Sequence, residues 1–210
     1  LDRQLDYHIV GVTHDKNGKP QYERSAFLRN SRDFGVPQNR PRVYIVAFSR
    51  AYFGQHISIL PKEAPCKRSR TPVFENLKDV LDEKVDPRFF LSSGYLETLE
   101  KHIVTQHDKG YGFGYCIVNA PEIKNPIANT LLATGGSGRE RNLIYDPING
   151  ASCAGTSVKG KYSPINDKYI RTMTPNEWGR LQGFIGYAFV DENGADQFSF
   201  PEGIPNVQKL

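Results

Sequence analysis

Arg171 is followed, after two residues, by Thr174-Pro175-Asn176-Glu177-Trp178-Gly179-Arg180-Leu181-Gln182-Gly183-Phe184. Three signals in this stretch start a helix. Thr174 is a capping residue, Pro175 suits the first helical position, and Glu177 is placed to complete a capping box. Trp178 and Leu181 fall three apart and form an apolar stripe. Gly183 ends the turn.

Nearer the N-terminus, Asp33-Phe34-Gly35-Val36-Pro37-Gln38-Asn39-Arg40-Pro41-Arg42 runs into Val43-Tyr44-Ile45-Val46-Ala47-Phe48. The apolar run over 43–48 reads as a strand buried on both faces, as in an α/β sheet. On an extended segment Gln38, Arg40 and Arg42 point to one face. Two guanidiniums side by side repel unless phosphate or carboxylate neutralises them through bidentate bonds. An ordinary exposed strand edge is the plainer alternative for that spacing.

The string Arg-x-x-Thr-Pro-x-Glu-x-x-Arg-Leu-Gln-Gly-Phe resembles the ninth motif of DNA cytosine methyltransferases, the enzymes that make 5-methylcytosine. Gln38-x-Arg40-x-Arg42 followed by an apolar strand is similar to the eighth motif of the same family, bacterial type. The order of the two and the long gap between them also match, and in the family that gap holds the target-recognition region. The family's early motifs, a Gly-rich cofactor loop, a Pro-Cys-Gln nucleophile and a Glu-Asn-Val acid, do not occur in these 210 residues. The tenth motif would begin where the sequence stops. The chain is therefore read as the C-terminal part of a methyltransferase.

The resemblance implies an α/β fold. Residues 1–60 would be the trailing strands of a doubly wound methyltransferase sheet domain. Residues 61–170 would form a small, irregular β-rich target-recognition domain, and 171–210 a helix returning to the catalytic domain. The parent enzyme would transfer a methyl group from S-adenosylmethionine to carbon 5 of a cytosine flipped out of duplex DNA, because that carbon is unreachable inside the stack. Arg42 would reach the flipped cytosine, with Arg40 and Gln38 supporting the same pocket. S-adenosylmethionine is expected on the complete enzyme and not on this chain alone. The partners implied are double-stranded DNA and the N-terminal catalytic half, in the same or a separate chain. The rival reading is a non-catalytic DNA-binding partner subunit of a split methyltransferase.

Composition fits without deciding. Lys and Arg number 27 against 23 Asp and Glu, a net charge of +4, with 38% hydrophobic residues and a mean hydropathy of −0.53. No run is long and apolar enough for a membrane span. Three cysteines in no metal-like spacing suggest a reducing compartment, hence a cytoplasmic location and no metal, and the resemblance implies that the location is bacterial and DNA-associated. Pro65-Cys66 lacks the Gln of the nucleophile motif and follows the eighth motif, so Cys66 is not read as catalytic.

Between the motifs, Leu96, Leu99 and Ile103 share one face of a helix capped by Ser92 or Ser93, and Phe74, Leu77 and Leu81 share a face of a shorter one. Lys109-Gly110-Tyr111-Gly112-Phe113-Gly114-Tyr115 alternates glycine with aromatics in a strand-like stretch. By resemblance it would shape a recognition loop, with Lys109 on a phosphate and Tyr111 beside it. Thr130-Leu131 fits the Thr-Leu pair that accompanies the family's base-reading loop. Gly135, Gly136 and Ser137 follow, then Arg139, Glu140 and Arg141. Arginine is the usual reader of guanine in the major groove, and a flexible hairpin tip with solvated charges is the plainer alternative. Lys159 and Lys161 form a further basic cluster, read as solvated surface or as nucleic-acid contact at even weight.

Overall fold

The computed structural model describes residues 6–67, 74–112, 114–131 and 139–205. The chain divides into two compact units, 1–35 with 40–72, and 36–39 with 73–210.

The first unit is built from short antiparallel pairs. Tyr7–Ile9 pairs with Ala47–Ser49, Thr13–His14 with Pro20–Gln21, and Leu28–Asn30 with Pro41–Val43. The Lys16–Lys19 turn closes a hairpin, as its Asn-Gly signal predicts. Asp15 holds that turn by accepting the amides of Asn17 and Lys19, and the latter bond leads in lowering its pKa. The apolar run at 43–48 departs from the expected doubly buried strand. Val43, Tyr44, Ile45 and Val46 are exposed. The run splits into two short strands, each paired with only one neighbour among the described residues, and between them the Tyr44 amide donates to Phe27 O at 2.9 Å and Val46 O accepts the Val10 amide at 3.0 Å.

The second unit carries the main core. Leu77, Val80, Val118, Ala128, Ile144, Met173, Trp178 and Leu181 pack together, and Leu91, Leu96, Leu99, Leu143 and Ile170 form an adjoining cluster. The helix expected around Leu77 is a single turn, Leu77–Val80, closed by an Asn76–Asp79 capping box. The second predicted helix is present as Ser93–Asp108, with Ser92 at its cap position and Leu96 and Leu99 buried. Its C-terminus explains the first part of the glycine–aromatic stretch. Gly110 adopts φ +73°, and the Tyr111 amide donates to Gln106 O at 2.8 Å, so this stretch stops a helix and does not continue as a strand. Ile144–Tyr145 pairs antiparallel with Ile170–Arg171, which delivers the chain into the helix Pro175–Leu181. No described helix is long and apolar enough to cross a membrane.

Candidate functional site

The start of the helix Pro175–Leu181 is a polar network sealed from water. Thr174 Oγ1 accepts the Glu177 amide and Glu177 Oε2 accepts the Thr174 amide, which completes the capping box. The same carboxylate takes two bonds from Arg171, Nη1 to Oε2 and Nη2 to Oε1, both 2.8 Å. Arg171 Nε donates to Asp146 Oδ2 at 2.8 Å. Burial disfavours this guanidinium's charge, yet the Glu177 and Asp146 carboxylates outweigh it and hold its pKa above the ordinary value. Glu177 Oε1 also accepts the Asp82 amide, while Arg180 reaches the Asp82 carboxylate at 2.7 Å and Val80 O at 2.8 Å. Gly179 is needed for packing, because a Cβ there would lie 2.7 Å from Ile185 Cδ1. Gly183 closes the helix at φ +78°. The polar residues of this stretch thus anchor Asp82, Asp146 and the helix to one another. Nothing in the pattern of Arg171 alone marks it as buried; its spacing of six from Glu177 and the apolar Ile170 and Met173 nearby are the available signals.

Gln38 and the two arginines after it fall in different units. Gln38 is buried in the second unit, where Gln38–Asn39 runs parallel to Ala128–Asn129. Arg40 and Arg42 belong to the first unit. Arg42 stands directly across from Arg29 on the paired strand. Like charges facing each other across a strand pair are destabilising. The Arg29 donors are taken by backbone carbonyls: it donates to Pro65 O, to Leu28 O and Ala64 O at 2.7 Å, and to Ser25 O at 3.1 Å. Arg42 is exposed and donates only to Pro41 O, and neither it nor Arg40 forms an ion pair among the described residues.

The strand Ala128–Asn129 leads into the Gly-rich segment. Asn129 and Asn142 clasp the foot of that segment. The Asn129 amide donates to Asn142 Oδ1 at 2.7 Å, Asn142 Nδ2 to Asn129 O at 3.3 Å, and Asn129 Nδ2 to Arg141 O at 2.8 Å. Thr130 Oγ1 donates to Asn39 O at 2.7 Å, and Leu131 packs on the main core. The Thr130-Leu131 pair therefore secures the foot to the Gln38–Asn39 strand. Gly135, Gly136 and Ser137 lie outside the described residues. Arg139 and Glu140 begin the turn Arg139–Asn142, and Glu140 accepts the Tyr95 hydroxyl. Arg141 is exposed and lies across Gly114, where a Cβ would come within 2.7 Å of its Nε and 2.8 Å of its Cγ. Lys109 and Tyr111 are exposed at the end of the helix Ser93–Asp108. The sequence did not single out the Asn129–Asn142 clasp, the Tyr95–Glu140 bond or the Gly114–Arg141 contact, each of which joins residues distant in sequence.

The chain is 36% identical over 183 residues to the Type II methyltransferase M.HpaII of Haemophilus parainfluenzae, covering 85% of this chain and 47% of that protein. It is 31% identical to M.SsoII of Shigella sonnei over 183 residues, 86% of this chain and 41% of the relative, and 28% identical to M1.ScrFI of Lactococcus lactis subsp. cremoris over 194 residues, 90% and 42%. The chain thus spans less than half the length of the curated relatives it matches. The family model for C-5 cytosine-specific DNA methylase matches residues 8–197, and the chain belongs to that family.

Proposed function

We propose that this chain is the DNA-recognising, C-terminal part of a methyltransferase that acts on carbon 5 of cytosine within a specific duplex sequence. The observation that carries the reading is the junction of the eighth-motif strand with the foot of the Gly-rich segment. Gln38–Asn39 pairs with Ala128–Asn129, and Thr130 is bonded to Asn39. A segment that reads DNA has to be anchored at its foot, and this pairing supplies the anchor within the second unit. In this reading Arg42 steadies the flipped cytosine, with Arg40 beside it, and Arg139 and Arg141 contact base edges from the Gly-rich segment. Gly135, Gly136 and Ser137 give that segment its close approach to the groove, and Lys109 and Tyr111 border it.

When bound, S-adenosylmethionine supplies the methyl group. The Gly-rich loop the family uses for it does not occur in these 210 residues, and no described residue is assigned to it. Nor does the Pro-Cys-Gln nucleophile occur, so chemistry needs the N-terminal catalytic half, in the same or a separate chain. Exposure of Val43, Tyr44, Ile45 and Val46 supports such a partner, since an apolar strand left in water is an unfavourable surface unless something covers it.

The test is methyl transfer from labelled S-adenosylmethionine to mixed-sequence duplex. The chain alone should give background, and addition of a segment bearing Pro-Cys-Gln and Glu-Asn-Val should restore transfer. Turnover by the chain alone would overturn the division of labour. Failure of the chain to bind duplex DNA would overturn the recognition role.

A further inference from the structure

A cavity of about 430 Å³ opens in the second unit beside the turn Arg139–Asn142, with Arg88, Ser92, Tyr95, Glu140, Lys161 and Thr172 in its wall. Its frame is fixed. Asp86 caps the turn Pro87–Phe89 by accepting the Arg88 amide at 2.9 Å, and Thr172 Oγ1 donates to Phe89 O at 3.2 Å. The segment after Gly160 is tied to the start of the helix Ser93–Asp108. The Ser93 amide donates to Pro164 O at 2.8 Å and the Gly94 amide to Ser163 Oγ at 2.9 Å. The Ser93 and Gly94 amides at the start of that helix are thus occupied.

The charges in this cavity are unequally satisfied. Arg88 has Asp86 at 3.5 Å and leans over the Phe89 ring. Glu140 accepts the Tyr95 hydroxyl. Lys161 is half-buried, and its ammonium forms no hydrogen bond or ion pair among the described residues. Burial pushes its pKa down, as expected for a cation taken partly out of water without a counter-charge. An ammonium in that position is stabilised by an anion. Next to it in sequence Tyr162 projects fully into solvent, and the cavity wall also includes Glu140, the neighbour of Arg141.

We propose that Lys161, assisted by Arg88, holds a backbone phosphate of duplex DNA in this cavity, next to the segment proposed to read the bases. The inference rests on the DNA-recognition role proposed above. Lysine suits the task as a compact charge, and a phosphate contact fixes register without carrying sequence information. Glu140, also in the wall, accepts the Tyr95 hydroxyl and forms no ion pair with Lys161.

The test is duplex binding by this chain, followed by fluorescence anisotropy across a salt series, for wild type, Lys161→Gln, Lys161→Arg and Arg88→Gln. One lost phosphate contact lowers the slope of log affinity against log salt by about 0.9, so the loss of affinity between about 50 and about 200 mM salt should shrink by roughly threefold. Lys161→Gln should show that change equally on all sequences, Lys161→Arg should restore the slope, and Arg88→Gln should give a smaller change in the same direction. Wild-type binding with an unchanged slope in Lys161→Gln would overturn this inference alone. A sequence-dependent loss would also overturn it, by making Lys161 a base reader. Absence of duplex binding by wild type would overturn the recognition role and this inference with it. The glutamine and arginine variants keep the stem of the side chain, and an unchanged melting curve separates a lost contact from a lost fold.

Discussion

Arg171 and Glu177 meet through two parallel 2.8 Å bonds, and neither side chain reaches solvent. The pair closes a circuit in which Asp146 takes the remaining Nε of the arginine and the Thr174 and Asp82 amides fill the carboxylate's remaining lone pairs. A buried ion pair is a weak source of net stability when compared with a hydrocarbon core, but losing the Glu177 charge would leave the sealed Arg171 with Asp146 as its one carboxylate partner among the described residues.

Glu177→Gln keeps the shape and removes that charge. It should destabilise the chain by about 3–5 kcal/mol, the usual cost of breaking a buried pair. Urea denaturation of the chain measures it, and a loss below about 1 kcal/mol would show that Asp146 alone satisfies Arg171.

Cys153 and Cys66 should differ sharply in reactivity. Cys66 is exposed and Cys153 is buried, with burial first and Asp146 second pushing its thiol pKa up. Alkylation near neutral pH should modify Cys66 first and reach Cys153 only on unfolding. The sign of the linked pH effect follows. The unfolded thiol ionises near its ordinary value of about 8.5, while the folded one still holds its proton. Stability contributed by Cys153 is therefore full below that pH and is lost as pH rises from there through the raised folded value. Cys153→Ala should flatten this alkaline decline. Rapid labelling of Cys153 in the folded chain would refute the burial argument.

The helix at Pro175–Leu181 was legible because its signals are local: a cap, a proline and a glycine within ten residues. The helix Ser93–Asp108 was legible for the same reason, through the spacing of Leu96 and Leu99. The burial of Arg171 was not, since its partner Asp146 lies 25 residues away and was brought near by the Ile144–Tyr145 and Ile170–Arg171 pairing. The run at 43–48 misled because an apolar sequence reports what a strand could bury, not what the chain provides to bury it. Arg42 was identified from its motif. That its facing residue is Arg29, already satisfied by carbonyls, depends on a strand register that the sequence does not announce.

Arg42→Ala should leave the chain's stability within about 0.5 kcal/mol, because Arg42 is exposed and forms no ion pair among the described residues. Combined with the catalytic half, it should remove most methyl transfer while duplex affinity stays near wild type. Thermal melting, anisotropy and transfer assays check the three parts. Normal transfer by the folded variant would remove Arg42 from the base pocket.

Gly114→Ala should act on Arg141. The added Cβ would meet Arg141 Cγ at 2.8 Å, too close to the root of the side chain for a rotation at its tip to relieve. The guanidinium must leave its present course across Gly114. Sequence discrimination should then fall as it does in Arg141→Ala, with little further loss in the double variant, because both changes remove the same placement. Additive losses in the double variant would mean that Gly114 and Arg141 serve separate purposes.

Arg139→Ala and Arg141→Ala separate two ways in which an arginine can serve DNA. A base reader makes a bidentate contact with guanine, and its loss costs roughly 1–3 kcal/mol on the specific site and relaxes discrimination at that position. A phosphate holder weakens all sequences alike and lowers the salt slope. The clasp between Asn129 and Asn142 fixes the foot of the segment, so a substitution at its arginines should not spread into the core. Arg141 departs from that foot across Gly114 into solvent. The expected outcome is that at least one of the two variants loses discrimination while Lys161→Gln loses only salt-dependent affinity. Competition binding of each variant against cognate and single-substituted duplexes measures both. If Arg139→Ala and Arg141→Ala keep full discrimination, base reading belongs to another element, and Lys109 to Tyr115 is the next segment to substitute.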